Sequence, residues 1–126
     1  MEKTITAEFS DTYNGFTTPG GGHFELYKQA GPYEYLLGAL SGCLYATFKG
    51  IAEKMHITWT GANFKVSCTK RAEPPTTMDH CCIEIEASGV SDQKKFESAM
   101  EKATRYCSIF QTLSHVSEMK WSVSFN

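Results

Sequence analysis

The sequence predicts an α+β fold made of N-terminal strands, one long central helix, two strands, a second helix and a final strand. Three observations carry that prediction. Apolar and polar residues alternate near both ends of the chain and again in its middle, which is the period of strands with one buried face. Two other segments repeat their apolar residues every three or four positions, which is the period of helices. A chain of 126 residues with 41% hydrophobic content can bury one core and is short for two, so a single domain over residues 1–126 is expected.

In TITAEF, Ile5, Ala7 and Phe9 alternate with Thr4, Thr6 and Glu8, the pattern of a half-buried strand. Asn14-Gly15 is a hairpin-turn signal and PGGG at 19–22 is a second break, so GFTT and HFELYK are expected as short strands of a meander. GPYEYL opens the central helix. Gly31 can cap it, Pro32 suits the first helical position, and Glu34 sets negative charge against the positive end of the dipole. Leu37, Leu40, Leu44, Phe48, Ile51 and Met55 then form one apolar stripe, with the helix ending near His56 after roughly 36 Å at about 1.5 Å per residue.

Beyond the helix, Phe64, Val66 and Cys68 alternate with polar neighbours, as do Ile83, Ile85 and Ala87, giving two strands joined through RAEPPTTMD. Ser91 is expected to cap a second helix whose apolar face runs through Phe96, Met100, Ala103 and Cys107. SIFQTLSH reads as a short helical turn, and Met119, Trp121, Val123 and Phe125 alternate in a closing strand.

The central helix also carries Gly38, Gly42, Ala46 and Gly50 at intervals of four, although each interior glycine costs roughly 0.5–1 kcal/mol relative to alanine. A row of small residues lets another backbone approach closely. That neighbour is either the chain's own sheet or the helix of a second copy. The uncharged run from Leu36 to Phe48, hard to cover within so small a domain, favours a symmetric homodimer.

Composition narrows the function classes. The net charge is −2, with acidic and basic residues scattered, so no basic stripe exists to hold phosphates and nucleic acid is not an expected partner. No apolar run approaches the about 20 residues that span a bilayer, and MEKTITAEFSDTY has no signal-peptide core, so a cytoplasmic protein without membrane attachment is expected. The five cysteines are Cys43, Cys68, Cys81, Cys82 and Cys107, and in a reducing compartment they are free thiols by default. There is no CxxC. His80 precedes the adjacent pair Cys81 and Cys82, a poor spacing for zinc, and neither metal nor cofactor is expected. His23, His56, His80 and His115 lack a partner pattern that would make one of them a base.

Cys68, Cys81 and Cys82 read as small hydrophobes. Cys43 and Cys107 differ, because one interrupts and the other ends an apolar helical face, giving two thiols that packing can bring together. A disulfide between them requires Cα atoms within about 7 Å.

GPYEYLLGALSGCLYATFKGIAEKM resembles the central-helix signature of the OsmC/Ohr family, the osmotically inducible and organic hydroperoxide resistance proteins, and KATRYCSIFQTL resembles that family's second cysteine motif. The order of elements matches over nearly the whole chain, while only the two cysteine segments are specific. The resemblance implies an OsmC-like, intertwined α+β homodimer with active sites at the subunit interface. It also implies thiol peroxidase chemistry on organic hydroperoxides, with Cys43 attacking, Cys107 resolving and an external dithiol resetting the pair. The sequence departs from the family's peroxidases at three places. They carry an N-terminal arginine, whereas the first arginine here is Arg71; Tyr33 stands at their glutamate position, with Glu34 next; and Ser108 follows Cys107 where proline is common. Lys28 and Arg105 are the basic residues weighed as substitutes for the arginine, and each reads as a surface charge. Two other functions are compatible with these residues: a noncatalytic dimer that binds an apolar small molecule, and a thiol redox sensor.

Overall fold

The computed structural model describes residues 1–126. In chain order its elements are β1 (Thr6–Phe9), β2 (Asn14–Thr17), β3 (His23–Glu25), α1 (Pro32–Lys54), β4 (Gly61–Lys70), β5 (Met78–Ser88), α2 (Gln93–Tyr106), α3 (Ser108–Ser114) and β6 (Glu118–Phe125). The architecture is α+β, with three helices and two small sheets. By internal contacts the chain divides into two compact units, Met1–Leu36 and Leu37–Asn126.

The first unit is an antiparallel meander in the order β1-β2-β3. Phe16 and Phe24, register partners on β2 and β3, stack with ring centroids 5.0 Å apart, and Tyr35 packs on Phe24 while donating its hydroxyl to the Glu25 carbonyl at 2.6 Å. The hairpin turn is not at Asn14-Gly15, which both lie inside β2. It falls at Ser10–Tyr13, where the Ser10 hydroxyl accepts the Tyr13 N–H at 3.1 Å and the Ser10 N–H donates to the Tyr13 carbonyl at 2.7 Å. Gly15 serves a different purpose: the Tyr13 ring lies where its side chain would be, so no Cβ fits. The alternation that marks β1 as a strand also fails to bury it. Every residue of β1 is exposed, as is Ile5 before it.

The second unit builds its sheet in the order β4-β5-β6, with β4 antiparallel and β6 parallel to β5. Register places the apolar residues of all three strands on one face: Val66, Ile83 and Trp121 are neighbours in one row, and Phe64, Ile85 and Val123 in the next. Helices α1 and α2 cover that face. Tyr45 meets Phe64, Phe48 meets Phe96 at 4.5 Å between centroids, and Phe96 meets Phe125. Leu40, Leu44, Phe48 and Ala52 are the fully buried stripe of α1, repeating every fourth residue.

Helix ends follow local chemistry. Glu34 reaches back to accept the Gly31 N–H at 2.8 Å, satisfying a donor that the first turn of α1 leaves without a helical partner. The cap of α2 is Asp92 rather than Ser91. The Asp92 carboxylate accepts the Lys95 N–H at 3.0 Å, while the Ser91 hydroxyl is occupied by the N–H of Thr58, also at 3.0 Å.

The small residues of α1 lie on the side away from the core. Leu40 and Gly42 differ by about 200° on an ideal helix, so the glycine stripe is opposite the buried one rather than beside it. Gly38, Gly42, Ala46 and Gly50 are exposed, and a Cβ built on any of the three glycines would meet no atom within 4 Å. The chain's own sheet is therefore not what these glycines admit.

Candidate active site

Cys43 sits midway along α1, between its buried stripe and its exposed small face, and is half-buried. Cys107 occupies the joint between α2 and α3 and is fully buried. At this joint Cys107 caps both helices. Its N–H closes α2 by donating to the Ala103 carbonyl at 2.8 Å, and its sulfur accepts the Phe110 N–H of α3 at 3.5 Å. The extended backbone at Cys107 (φ −71°, ψ 114°) breaks the helix there, and Gln111 fastens the second segment to the first by donating to the Thr104 carbonyl at 2.9 Å.

This joint aims the two sulfurs at each other. The Cys107 thiol donates to the Cys43 sulfur at a distance of 3.2 Å, across 64 positions of sequence. A disulfide bond is about 2.05 Å long, so the sulfurs need to close by only about 1.2 Å.

The surroundings of the two thiols differ in sign. Burial is the largest single influence on Cys43 and raises its pKa, but four hydrogen-bonding groups act the other way: the Ile109 N–H, the Cys107 thiol, and the hydroxyl and N–H of Ser108. Together they prevail and hold Cys43 below the ordinary cysteine value. Ser108 and Ile109 open α3, where N–H groups have no partner inside the helix and are free to face a sulfur. For Cys107, burial dominates and pushes the thiol up, reinforced by its neighbour Cys43 and opposed by the Phe110 and Ile109 N–H groups. Of the pair, Cys43 is the more readily ionised, and the thiolate is the nucleophilic form of cysteine.

The other candidates fall elsewhere. Arg105 is exposed and pairs with Glu101 at 3.6 Å, one turn back on the same helix face, and Lys28 pairs with Glu25 at 3.0 Å. Hydrogen-bond donors, rather than a cation, act on Cys43. Glu34 is engaged at the start of α1. Cys81 is buried in the sheet core with its thiol pushed up to about 11, whereas Cys82 is exposed on the outer face. No group of three or more His, Cys, Asp or Glu side chains is arranged to hold a metal ion. Leu40 is fully buried in the core. Sequence reasoning missed Ser108 and Ile109. Their signal was a helical turn starting directly after Cys107, which left their N–H groups available.

The family model described as OsmC-like protein matches residues 26–122, a span that includes both cysteine segments. The chain belongs to the OsmC-like family. Its fold agrees with solved OsmC-like structures. The OsmC-like protein from Mycoplasma pneumoniae superposes with a TM-score of 0.86 at 16% identity, covering 99% of this chain and 97% of that one. The organic hydroperoxide resistance protein OsmC from Legionella pneumophila gives 0.73 at 14% identity, covering 98% and 97%. The organic hydroperoxide resistance protein OhrB of Bacillus subtilis gives 0.71 at 14% identity, covering 98% of each chain. No curated protein sequence matches the chain. No helix of this OsmC-like chain is long and apolar enough to cross a membrane.

Proposed function

We propose that this protein is a thiol-dependent peroxidase that reduces organic hydroperoxides in the cytoplasm, working as a homodimer. The observation that carries the reading is the sulfur pair: a half-buried Cys43 with a lowered pKa lies 3.2 Å from a fully buried Cys107 with a raised one. An attacking thiolate must meet solvent and substrate, while a resolving thiol only has to meet the first sulfur. That assigns Cys43 to attack and Cys107 to resolution. Family membership and the hydroperoxide-resistance names of two structural neighbours support organic hydroperoxides as the substrate class.

In the first step the Cys43 thiolate attacks one peroxide oxygen. An S–O bond forms, the O–O bond breaks, and its electron pair leaves on the alkoxide, which takes a proton to become the alcohol. Cys43 is then a sulfenic acid. In the second step the Cys107 sulfur, as thiolate, attacks the Cys43 sulfur, forming the disulfide and releasing the hydroxyl, which leaves as water once protonated. An external dithiol supplies the two electrons that restore both thiols and is itself oxidised to a disulfide.

Mass spectrometry after one equivalent of an organic hydroperoxide separates the roles. The wild type should form the Cys43–Cys107 disulfide and turn over with a dithiol. Cys107→Ser should stop at Cys43 sulfenic acid and drift to sulfinic acid, and Cys43→Ser should lose hydroperoxide consumption altogether. If wild-type Cys43 reacts no faster than an exposed model thiol, the peroxidase reading fails and a noncatalytic binding dimer replaces it. A disulfide that forms but is not reset by dithiols points instead to a sensor.

A further inference from the structure

We propose that Cys68 and Cys81 are a second redox pair, which closes into a cross-strand disulfide when a low-molecular-weight disulfide oxidises it. The pair uses neither Cys43 nor Cys107 and does not depend on the peroxidase reading. Cys68 on β4 and Cys81 on β5 are direct register partners in an antiparallel ladder. The Cα atoms of such partners are about 4.5 or about 5.5 Å apart, according to whether the two residues exchange hydrogen bonds. Either separation falls within the about 4.4–6.8 Å that a disulfide spans. Both side chains also leave the same face of the sheet. Cys68 follows Phe64 and Val66 in alternation and stands between the exposed Ser67 and Thr69, while Cys81 precedes Ile83 and Ile85 and stands between the exposed His80 and Cys82. Cys82 therefore points to the opposite face and does not compete for either sulfur. One row beyond the pair the ladder skips Asp79, so that Thr69 faces His80 and Lys70 faces Met78. An irregularity of this kind disrupts the ladder locally, which gives the neighbouring row freedom to adjust as the sulfurs join.

Access sets the order of events. Cys68 is half-buried and Cys81 fully buried, so Cys68 is the thiol that meets the oxidant. The Cys68 thiolate attacks one sulfur of the small disulfide, whose S–S bond breaks. A mixed disulfide forms on Cys68, and one small thiol leaves after taking a proton. Cys81 then gives its proton to solvent and attacks the Cys68 sulfur, releasing the second small thiol. The two protein thiols lose two electrons and the small disulfide gains them. Cys81 alone is a poor nucleophile, because burial above all, with repulsion from Cys68 and Cys82, pushes its thiol up to about 11. Opposite an oxidised Cys68 its attack is intramolecular, and the high effective concentration offsets the small thiolate fraction.

The test uses the full-length chain carrying Cys82→Ser, so that the peptide containing Cys81 has a single thiol. The folded protein is incubated with oxidised glutathione at about pH 8.5, where free cysteines are half ionised, then alkylated, digested and mapped by mass spectrometry. The expected product joins the Cys68 and Cys81 peptides. It should form equally when Cys43→Ser is added, since the first pair takes no part. Adding Cys81→Val instead should leave glutathione on Cys68 with nothing to displace it. The disulfide form of the Cys43→Ser, Cys82→Ser chain should have a higher urea midpoint than the same chain reduced with dithiothreitol, because the crosslink ties β4 to β5 in the unfolded state as well. Three results would each overturn the proposal: Cys68 staying free or glutathionylated while Cys81 is intact, a Cys68–Cys81 link that forms only in urea, or a link that disappears with Cys43→Ser.

Discussion

Thiols of one chemical type acquire different characters here from their immediate neighbours. Cys81, opposite Cys68 in the sheet register, shows the inert extreme: burial, with additional repulsion from Cys68 and Cys82, raises its pKa to about 11. An unfolded cysteine titrates near about 8.5, so the neutral Cys81 favours the folded state. That contribution is complete below about pH 8.5 and is lost as pH rises toward about 11. Urea midpoints measured across this window should therefore fall more steeply for the wild type than for Cys81→Val, while Cys82→Ser on the exposed face should track the wild type. Parallel curves for wild type and Cys81→Val would contradict the linkage. The sequence could single out Cys43 and Cys107 because each stands at an irregular point of an apolar helical face. It could not reveal Ser108 and Ile109 as partners of Cys43, since their effect depends on a helix joint that brings positions far apart in the chain into contact.

Among the elements, those whose burial follows a simple period were the legible ones. Alternation marks β4, β5 and β6 and correctly names their core-facing residues, because α1 and α2 cover one face and leave the other to solvent. Element ends were less legible, because a cap depends on which of several adjacent polar residues is already engaged. Ser91 is a good cap in isolation, but its hydroxyl holds the Thr58 N–H, and Asp92 takes the task. Asp92→Ala should cost about 1 kcal/mol of stability, and Asp92→Asn only a fraction of that, since asparagine caps nearly as well. Chemical denaturation of the two variants checks this. Equal stability of Asp92→Ala and the wild type would show that the first turn of α2 is held by its packing alone. Asn14-Gly15 failed as a turn for a related reason: the Ser10 hydroxyl closes the hairpin earlier, and the glycine is required by the Tyr13 ring.

At the scale of the whole molecule, two apolar or small surfaces lack a cover within one chain. One is β1 with Ile5, where Ile5 is 51% and Phe9 61% exposed despite the strand's alternation. The other is the face of α1 formed by Gly38, Gly42, Ala46 and Gly50. Glycine is a poor helix former, and nothing in the chain occupies the space above these three glycines. A second copy meeting this face would give the missing side chains a purpose, and Cys43, within about 20° of Gly50 on the helix, would then border the contact. This separates fold stability from assembly in a way that one substitution can test. Gly42→Leu introduces a side chain into open space in the isolated chain, so it should leave the fold intact and add about 0.5–1 kcal/mol of helix stability. In a dimer closed across this face the same leucine overpacks the contact and should cost about 1–3 kcal/mol of association. For the homodimer proposed above, the expected result is a folded protein whose mass by sedimentation shifts toward the monomer relative to the wild type. A variant that sediments as the wild type does would remove the glycine face from the proposed interface.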